Sequence, residues 1–507
     1  MSKENFKTQK MRGSADISYL GRSIDEMIWD FMREEGIDGL TMAIVQAPYI
    51  PRVVGYGFSD YKEKRLSSSN TMWPIGKISQ GFIAVAIMQL YEDSKLDIND
   101  PISKYLSDIP EMWREIAIIE LLRHSSGIED YSLSNGFNPS NPGKFQDLIE
   151  LVAKDHMKFP HGTDVAQSAT NFLLLTEIIE RITKESYCNF VTERQIKALD
   201  LKHTGFAKDL DSFKHEDVRL TENIHQHFKT DKDYIDPTEY AVSYDKDGVA
   251  ISREECSNLR GFTDLWASAQ DISIWDIALA GSILIHDANN RALIYGPWKL
   301  PNGHNVPAVA GWQFYSHKGL MDIKGTVKGY SSFLSRFTDP KELVCVTLMA
   351  NKEGIDFSNL ARRVAAAFGD LLSTNYNDNS LYIMESQFSV DEMVKRLEKE
   401  LKNRDIPVFA KIDHSENAKE VNLSLRPTTV LIFGSPKVGT HMMEEDQSVS
   451  LELPLRISMW EDEKGSTWIG FKKVRKMLSE YNISNSEIIF NMEKLLEDIT
   501  SKVANIY

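Results

Sequence analysis

Three polar residues stand in the opening turn of a long apolar segment, and their types limit the chemistry of this turn. Lys77, Ser79 and Gln80 come directly before the apolar run from Phe82 to Leu90. A primary amine at the start of a buried helix can bind an anion or, with a lowered pKa, act as a nucleophile. Gln80 carries an amide, which does not titrate. Ser79 lies two positions after Lys77, about 200° around a helix, so we expect its hydroxyl to point away.

Two later segments carry further polar residues that could contribute to the same site. Gln167-Ser168-Ala169 lies within the run from Pro160 to Phe172, and Ile323-Lys324-Gly325 shortly precedes Gly329-Tyr330-Ser331-Ser332. The second of these segments has the alternation of a strand, so Ile323 and Lys324 point to opposite faces. Lys324 could add positive charge to a cleft at Lys77, or it could be a solvated strand residue.

The three segments resemble the active-site motifs of the serine β-lactamase and penicillin-binding-protein superfamily, especially its class C-like and esterase members. Those motifs are Ser-x-x-Lys at the start of a buried helix, Tyr-x-Asn, and Lys-Thr-Gly or His-x-Gly on a strand. The serine is the acyl-accepting nucleophile, and the lysine shares its proton. The positions that match the family's motif residues are Lys77, Gln80, Gln167, Ala169, Ile323 and Gly325. The resemblance therefore predicts a family member that has lost the chemistry of all three motifs.

The segments around these motifs extend the resemblance to about residues 20–374. Leu121-Leu122-Arg123-His124-Ser125-Ser126-Gly127 is similar to the family's Leu-Leu-x-His-Thr-Ser-Gly segment, and Leu201–Phe206 is similar to its Leu-x-x-Thr-x-Phe turn. The fold class that the resemblance implies is α/β, with an antiparallel sheet flanked by helices and a helical subdomain. In that fold the histidine segment is structural, so we expect His124 to be a hydrogen-bonded rather than a catalytic residue.

A second pattern begins beyond the polar cluster Asn375–Ser380. Residues 386–507 resemble the family known as domain of unknown function 302, through Ile412-Asp413-His414, Leu425-Arg426-Pro427 and Phe433-Gly434-Ser435-Pro436. That family implies a small α+β domain, often self-associating, and no established reaction. We therefore predict a polar segment 1–19, a β-lactamase-like domain 20–374, a linker 375–385 and a second domain 386–507.

Two further candidates follow a predicted strand of the second domain. Asp413 and His414 could bind a small ligand, because strand ends often carry binding groups. Alternatively, Asp413 could cap a helix that starts near Ser415. Both interpretations remain open at this stage.

The sequence predicts neither a metal site nor a cofactor. His225 and His227 are two positions apart, with His215 and Asp236 nearby, but no third ligand has a suitable spacing. The three cysteines, Cys188, Cys256 and Cys345, are far apart and form no Cys-x-x-Cys pair.

Charge and hydropathy exclude several kinds of partner. The 507 residues include 58 Lys and Arg against 74 Asp and Glu, for a net charge of −16. Nucleic-acid binding needs a basic surface, so we expect no nucleic-acid partner. No apolar run is long enough to span a bilayer, and no signal peptide opens the chain. As given, the chain reads as cytoplasmic; a periplasmic or secreted location would follow if a signal peptide were missing.

The leading functional hypothesis is a non-catalytic ligand-binding or assembly protein on a serine hydrolase fold. Its ligand would be an unknown small molecule, with Lys77, Gln80, Gln167, Lys324, Asp413 and His414 as candidate contacts. The alternative is an active esterase, amidase or peptidase-like hydrolase that uses other residues. A buried Lys77 would need a carboxylate from another segment or an anionic ligand. Apolar runs at Val430–Phe433 and Leu455–Trp460 predict strands buried on both faces, by helices or by a partner. With the family resemblance, these runs favour a homodimer through the C-terminal domain.

Overall fold

The computed structural model describes most of the chain in two compact units, which divide between residues 373 and 374. The described residues are 17–19, 22–139, 141, 143–154, 156–212, 240–296, 298–300, 305–306, 312, 320–339, 342–368, 380–386, 388–463, 465–479, 481–484 and 486–504. Most of the predicted N-terminal segment 1–19, and residues 375–379 of the predicted linker, lie outside this set.

The first unit is built on a six-stranded sheet that joins the two ends of its sequence. Its strands, in spatial order, are Leu320–Val327, Tyr330–Asp339, Glu342–Ala350, Gly39–Gln46, Tyr49–Asp60 and Arg65–Leu66. Leu348 lies opposite Met42 in the antiparallel pair at the centre. Every residue of Gly39–Gln46 is buried, because this central strand is covered on both faces. A three-stranded sheet of Trp73–Pro74, Leu265–Ala267 and Thr204–Phe206 lies beside the candidate site.

Helices complete the first unit in the arrangement that the sequence predicts. They are Ile24–Glu35, Ser79–Glu92, Ile118–Leu122, Phe145–Glu150, Ala169–Thr183, Tyr187–Val191, Arg253–Cys256, Ala269–Ala280, Ala288–Tyr295 and Ser358–Ala365. The first begins at a capping box of Ser23 and Glu26 and ends at Gly36, whose φ of 61° suits a left-handed cap. Residues 79–90 are all buried, which explains why that helix is apolar on every side.

The second unit is a small α+β domain. Its antiparallel sheet has the order Leu381–Ser386, Thr467–Lys472, Leu455–Glu461, Thr428–Phe433 and Val408–Asp413. Its helices are Val390–Asn403, His414–Glu420, Pro436–Glu445, Val474–Met477 and Ser486–Ala504. Leu397 and Ile499, from the two longest helices, share one core cluster with Leu431, Ile457 and Ile469 of the sheet. The predicted fold class is confirmed for both units.

Among the described residues, helices of this chain cover only one of the two sheet faces whose burial the sequence predicts in the second unit. Leu431 and Met459 are fully buried on the face that the helices cover. Val430, Ile432 and Trp460 alternate with them, lie on the other face and are only half-buried. Side chains alternate across a strand, so an apolar run does not by itself bury both faces. Within the described part of this chain, the second face is left partly exposed.

Candidate functional site

The opening turn of the Ser79–Glu92 helix is locked to a strand of the central sheet. Residues Gly76–Ile78 form a 3₁₀ turn that leads into this helix. The Ser332 hydroxyl donates to the carbonyls of Ile75, at 2.7 Å, and Gly325, at 3.0 Å. A Cβ on Gly325 would lie 2.2 Å from both the Ile75 carbonyl oxygen and the Ser332 Oγ. Only glycine allows this approach, which fixes where the Lys77 side chain starts.

Lys77 and Gln167 form the central pair of the site. The Lys77 Nζ donates to the Gln167 Oε1 at 2.5 Å, and the ring centroid of Phe262 lies 5.8 Å from the same nitrogen. Burial lowers the pKa of the Lys77 amine, while the charge of Asp130 acts in the opposite direction. No carboxylate of a described residue forms an ion pair with Lys77, so the first of the two partners expected from the sequence is not found there.

Gln80 contacts a buried histidine rather than Lys77. The Gln80 Oε1 lies 2.9 Å from the His124 Nε2. The other ring nitrogen of His124 accepts from the Ser168 backbone N–H at 3.3 Å and from the Asn171 amide at 3.1 Å. Because Nδ1 accepts twice, Nε2 carries the proton and donates it to Gln80. This pattern fixes one neutral tautomer of His124.

The network continues from Asn171 into the segment that follows His124. The Ser126 hydroxyl donates to the Asn171 Oδ1 at 2.6 Å and accepts from the Ile128 backbone N–H at 3.1 Å. Burial and the nearby Lys77 charge lower the pKa of His124 to about 3. His124 is therefore neutral near pH 7 and has both ring nitrogens engaged, so it is poorly suited to act as a base towards Lys77.

The two remaining positions of the first and second motifs are structural. The Ser79 Oγ accepts from the Leu265 backbone N–H at 3.2 Å, and the side chain is fully buried. Ala169 starts the helix Ala169–Thr183, and its N–H donates to the Asp130 Oδ2 at 3.1 Å. Asp130 therefore positions the second motif as well as acting on Lys77.

The side chains of Ile323 and Lys324, in the third motif, lie on opposite faces of their strand, as side-chain alternation requires. Ile323 is buried, and the Lys324 Nζ forms an ion pair with the Asp356 Oδ1 at 3.1 Å. The same carboxylate oxygen accepts from the Ser358 N–H at the start of the Ser358–Ala365 helix. The structure thus places Lys77 in contact with Gln167, and Gln80 in contact with His124. Lys324 instead pairs with Asp356.

Asp413 caps a helix in the second unit. Its Oδ1 accepts from the N–H groups of Ser415, at 2.9 Å, and Glu416, at 3.0 Å. The Ser415 hydroxyl, followed by these N–H groups, lowers the pKa of Asp413. His414 is exposed at the first position of that helix. Of the two interpretations left open by the sequence, this geometry corresponds to the cap.

The described residues contain no group of three His, Cys, Asp or Glu side chains that could hold a metal ion. The candidates His215, His225, His227 and Asp236 lie outside the described residues. None of the described helices has the length and hydropathy needed to cross a membrane.

Sequence reasoning missed Asp130 and the roles of Ser126 and Asn171. A signal for Asn171 was available, because it keeps its place in the second motif's frame next to the changed Ala169. Asp130 gave no comparable signal, since its hydrogen bond with Ala169 and the effect of its charge on Lys77 join segments that are distant in sequence.

Comparisons with known proteins agree with this division of the chain. Residues 24–369 match the family model described as Beta-lactamase, and residues 382–502 match the model described as Domain of unknown function DUF302. Protein flp of Staphylococcus aureus strain MW2 is 24% identical over 344 residues, which are 65% of this chain and 63% of the relative. The chain thus spans less than two thirds of the length of that curated relative.

Solved structures share the fold at low sequence identity. The octameric penicillin-binding protein homologue from Pyrococcus abyssi is 18% identical, with a TM-score of 0.54, over 88% of this chain and 89% of the homologue. A penicillin-binding protein from Bacillus halodurans is 19% identical, with a TM-score of 0.53, over 69% of this chain and 98% of that protein. These likenesses support the fold alone.

Proposed function

The chain belongs to the Beta-lactamase family over residues 24–369, and we propose that its first unit binds a small carboxylate at Lys77 and no longer catalyses acyl transfer. In this proposal the family's nucleophile position is held by Lys77 and its partner lysine position by Gln80. The ligand would bind where enzymes of the family bind the substrate that acylates their serine, and it would not be cleaved.

The observation that carries the proposal is the incomplete coordination of the Lys77 amine. An ammonium has three donors, and the described residues accept only one of them, through the Gln167 Oε1 at 2.5 Å. A partly buried charge is costly when no opposite charge is in contact with it, and Asp130 acts on Lys77 only without forming an ion pair. A carboxylate on Lys77 would supply both the missing acceptors and the missing charge, and the ring of Phe262 gives an apolar body a surface to contact.

The neighbours of Lys77 argue against the alternative of an active hydrolase. A covalent mechanism needs a nucleophile and a base within hydrogen-bond reach. Gln167 and Gln80 carry amides, and His124 is neutral with both nitrogens engaged. The Ser79 hydroxyl is committed to the Leu265 backbone. The amine of Lys77 itself is therefore the single reactive group of this cluster, and it lacks a base.

Benzoate and its neutral isostere benzamide test the proposal. We expect benzoate to bind the natural chain and Lys77→Met to weaken it by about 10-fold or more, since hydrogen bonds to charged groups contribute about 1.5–3 kcal/mol. Lys324→Met is the matched control and should leave the affinity unchanged, because Lys324 is paired with Asp356. Isothermal titration calorimetry measures both variants. Equal affinities for benzoate and benzamide, or equal loss in both variants, would contradict the proposal.

The pH dependence of benzoate binding gives a second readout. Burial lowers the pKa of Lys77 from its ordinary value of 10.5, so the amine loses its proton at a lower pH than a free lysine does. Only the protonated amine attracts a carboxylate. Affinity should therefore be highest where benzoate is ionised and the amine is protonated. It should fall as pH rises through the lowered pKa, with net proton uptake on binding in that range. The same pH profile in Lys77→Met as in the natural chain would exclude Lys77 as the anchor.

We also propose that the chain forms a homodimer through its C-terminal domain. The half-buried face of the second unit's sheet, with Val430, Ile432 and Trp460, is an apolar surface that a second copy could cover. One homologue of the same fold, from Pyrococcus abyssi, is described as octameric. Asp413 and His414 take no part in this proposal, since Asp413 caps its own helix.

Light scattering tests the assembly. We expect the full chain to have the mass of a dimer and the substitution Trp460→Glu to shift it towards a monomer, because a charge on the shared face would be buried without a partner. Phe490→Glu is the control, since Phe490 is an exposed residue of the Ser486–Ala504 helix. A monomeric natural chain would remove the proposal, and a dimer that survives Trp460→Glu would place the interface elsewhere.

A further inference from the structure

The sheet of the second unit opens at one end between two neighbouring strands. Leu455–Glu461 and Thr467–Lys472 pair with each other only as far as Ser458 and Gly470. Beyond that point, each of the two strands remains paired with its neighbour on the other side. The two strands therefore diverge while each keeps its outer partner, and a gap is left between them.

A cavity lies at this gap. Its volume is about 380 Å³, which is the size of a site for a small molecule. Val430, on the half-buried face of the sheet, lines the cavity together with Met477 and Leu496, which belong to helices on the other face. Ser458 and Gly470, where the pairing ends, carry the smallest side chains of the described lining. The cavity therefore extends from the open face of the sheet through the gap towards the helices.

The charged residues of the described lining are Glu452, Arg456 and Lys472, and they stand together. The Arg456 Nη2 lies 3.9 Å from the Glu452 Oε2, and the Lys472 Nζ lies 3.8 Å from the Glu452 Oε1. The side chains of Arg456 and Lys472 are 59% and 51% exposed, so a ligand can reach both cations. Because two cations share one carboxylate at these long distances, this end of the cavity favours a second anion.

We propose that this cavity binds an unbranched alkyl carboxylate of medium length, with its carboxylate at Arg456 and Lys472 and its alkyl chain in the gap towards Met477 and Leu496. An unbranched chain is narrow enough to enter between strands that are paired a few residues away. One copy of the chain forms the whole cavity, so the inference rests neither on the homodimer nor on the carboxylate site at Lys77.

The dependence of affinity on chain length tests the apolar part of the cavity. The full chain carrying Lys77→Met is titrated by calorimetry with hexanoate, octanoate and decanoate, because this background removes the other proposed carboxylate site. Affinity should rise about fourfold for each methylene that the cavity buries. The neutral probe 1-decanol should bind less tightly than decanoate. An affinity that does not increase with chain length, or that is equal for decanoate and 1-decanol, would overturn the inference.

Two substitutions of opposite sign test the charged end. In the same background, Arg456→Gln should weaken decanoate by about two- to fivefold, the range for an exposed ion pair. Glu452→Gln should strengthen it by a similar factor, because Glu452 competes with the ligand for the same cations. Lys419→Gln is the control and should change nothing, since Lys419 pairs with Glu416 and is not in the described lining. Weaker decanoate binding in both Arg456→Gln and Glu452→Gln would indicate a structural effect and contradict the charge assignment.

Ser458→Phe tests the position of the ligand directly. The larger side chain would fill the space at the end of the paired region and should abolish decanoate binding, with circular dichroism to check that the variant is folded. A folded Ser458→Phe variant that binds decanoate as before would place the ligand elsewhere and overturn the inference. If this variant does not fold, the comparison of Arg456→Gln with Glu452→Gln still decides. Absence of binding by all three acids would overturn the inference without bearing on benzoate at Lys77 or on the homodimer.

Discussion

Gly325→Ala is expected to destabilise the first unit by about 3 kcal/mol, at the upper end of the usual cost of overpacking. The added Cβ would meet the Ile75 carbonyl oxygen and the Ser332 Oγ at 2.2 Å. The Ile75 oxygen belongs to the backbone of the turn that starts the buried Ser79–Glu92 helix, so it cannot rotate away. The strand and the turn would have to separate, which also breaks the hydrogen bond from Ser332 to Ile75.

Urea unfolding measures this effect, with Gly439→Ala as the matched control. Gly439 lies in the helix Pro436–Glu445, where an added Cβ meets only ordinary contacts at 3.8 Å and beyond. Alanine has a higher helix propensity than glycine, so this variant should be unchanged or more stable by up to about 1 kcal/mol. A Gly325→Ala variant as stable as the natural chain would show that the turn and the strand are not held as described.

The triple variant Lys77→Ser, Gln80→Lys and Gln167→Tyr is expected to show more acyl-transfer activity than the natural chain. Positions 77 and 167 already face each other, since their side chains hydrogen-bond at 2.5 Å. Positions 77 and 80 are three apart, in the 3₁₀ turn Gly76–Ile78 and the first turn of the following helix, and this spacing brings side chains to the same side. Positioned general-base catalysis contributes about 100-fold or more, so a burst of p-nitrophenyl acetate hydrolysis should become measurable.

The single variant Lys77→Ser distinguishes the effect of adding a serine from the effect of adding the residues that activate it. It places a serine at the family's position but leaves Gln80 and Gln167, which cannot take its proton. We expect this variant to remain inert under conditions in which the triple variant shows a burst. A folded triple variant without a burst, or equal activity in both variants, would count against the view that the scaffold still presents a serine at position 77 correctly.

The sequence predicted the folds well because both depend on patterns that are local or ordered along the chain. The uniformly apolar run from Phe82 to Leu90 identified a buried helix, and motif order identified the family. Helix ends depend on particular contacts as well as on propensity. At the start of the Ser358–Ala365 helix, Asp356 accepts from the Ser358 N–H and also pairs with Lys324 from a distant strand, and the sequence pattern does not encode that second contact.

The candidate site was predicted as a set of positions but not as a set of contacts. Alternation placed Lys324 on the face opposite Ile323, yet its partner Asp356 is 32 residues away and could not be identified. The bond between Lys77 and Gln167 joins residues 90 positions apart. Such contacts arise from packing and leave no periodic signal in the sequence.

In the second unit, the sequence likewise does not show how each face of the sheet is covered. Consecutive apolar residues at Val430–Phe433 predicted burial on both sides, but helices of this chain cover only the side of Leu431 and Phe433 among the described residues. The sequence shows that the other side is apolar, and it does not show what covers it. The light-scattering comparison addresses that question directly.

Intact-mass measurement of the natural chain after incubation with benzylpenicillin and with a fluorophosphonate tests the central claim most directly. Lys77 stands in place of the family's serine, and the nearby Ser79 hydroxyl is fully buried and bonded to the Leu265 backbone. We predict an unchanged mass with both reagents, at concentrations that fully label an active penicillin-binding protein run in parallel. A stoichiometric adduct on any serine of the first unit would contradict the proposal that this family member has lost serine-based catalysis.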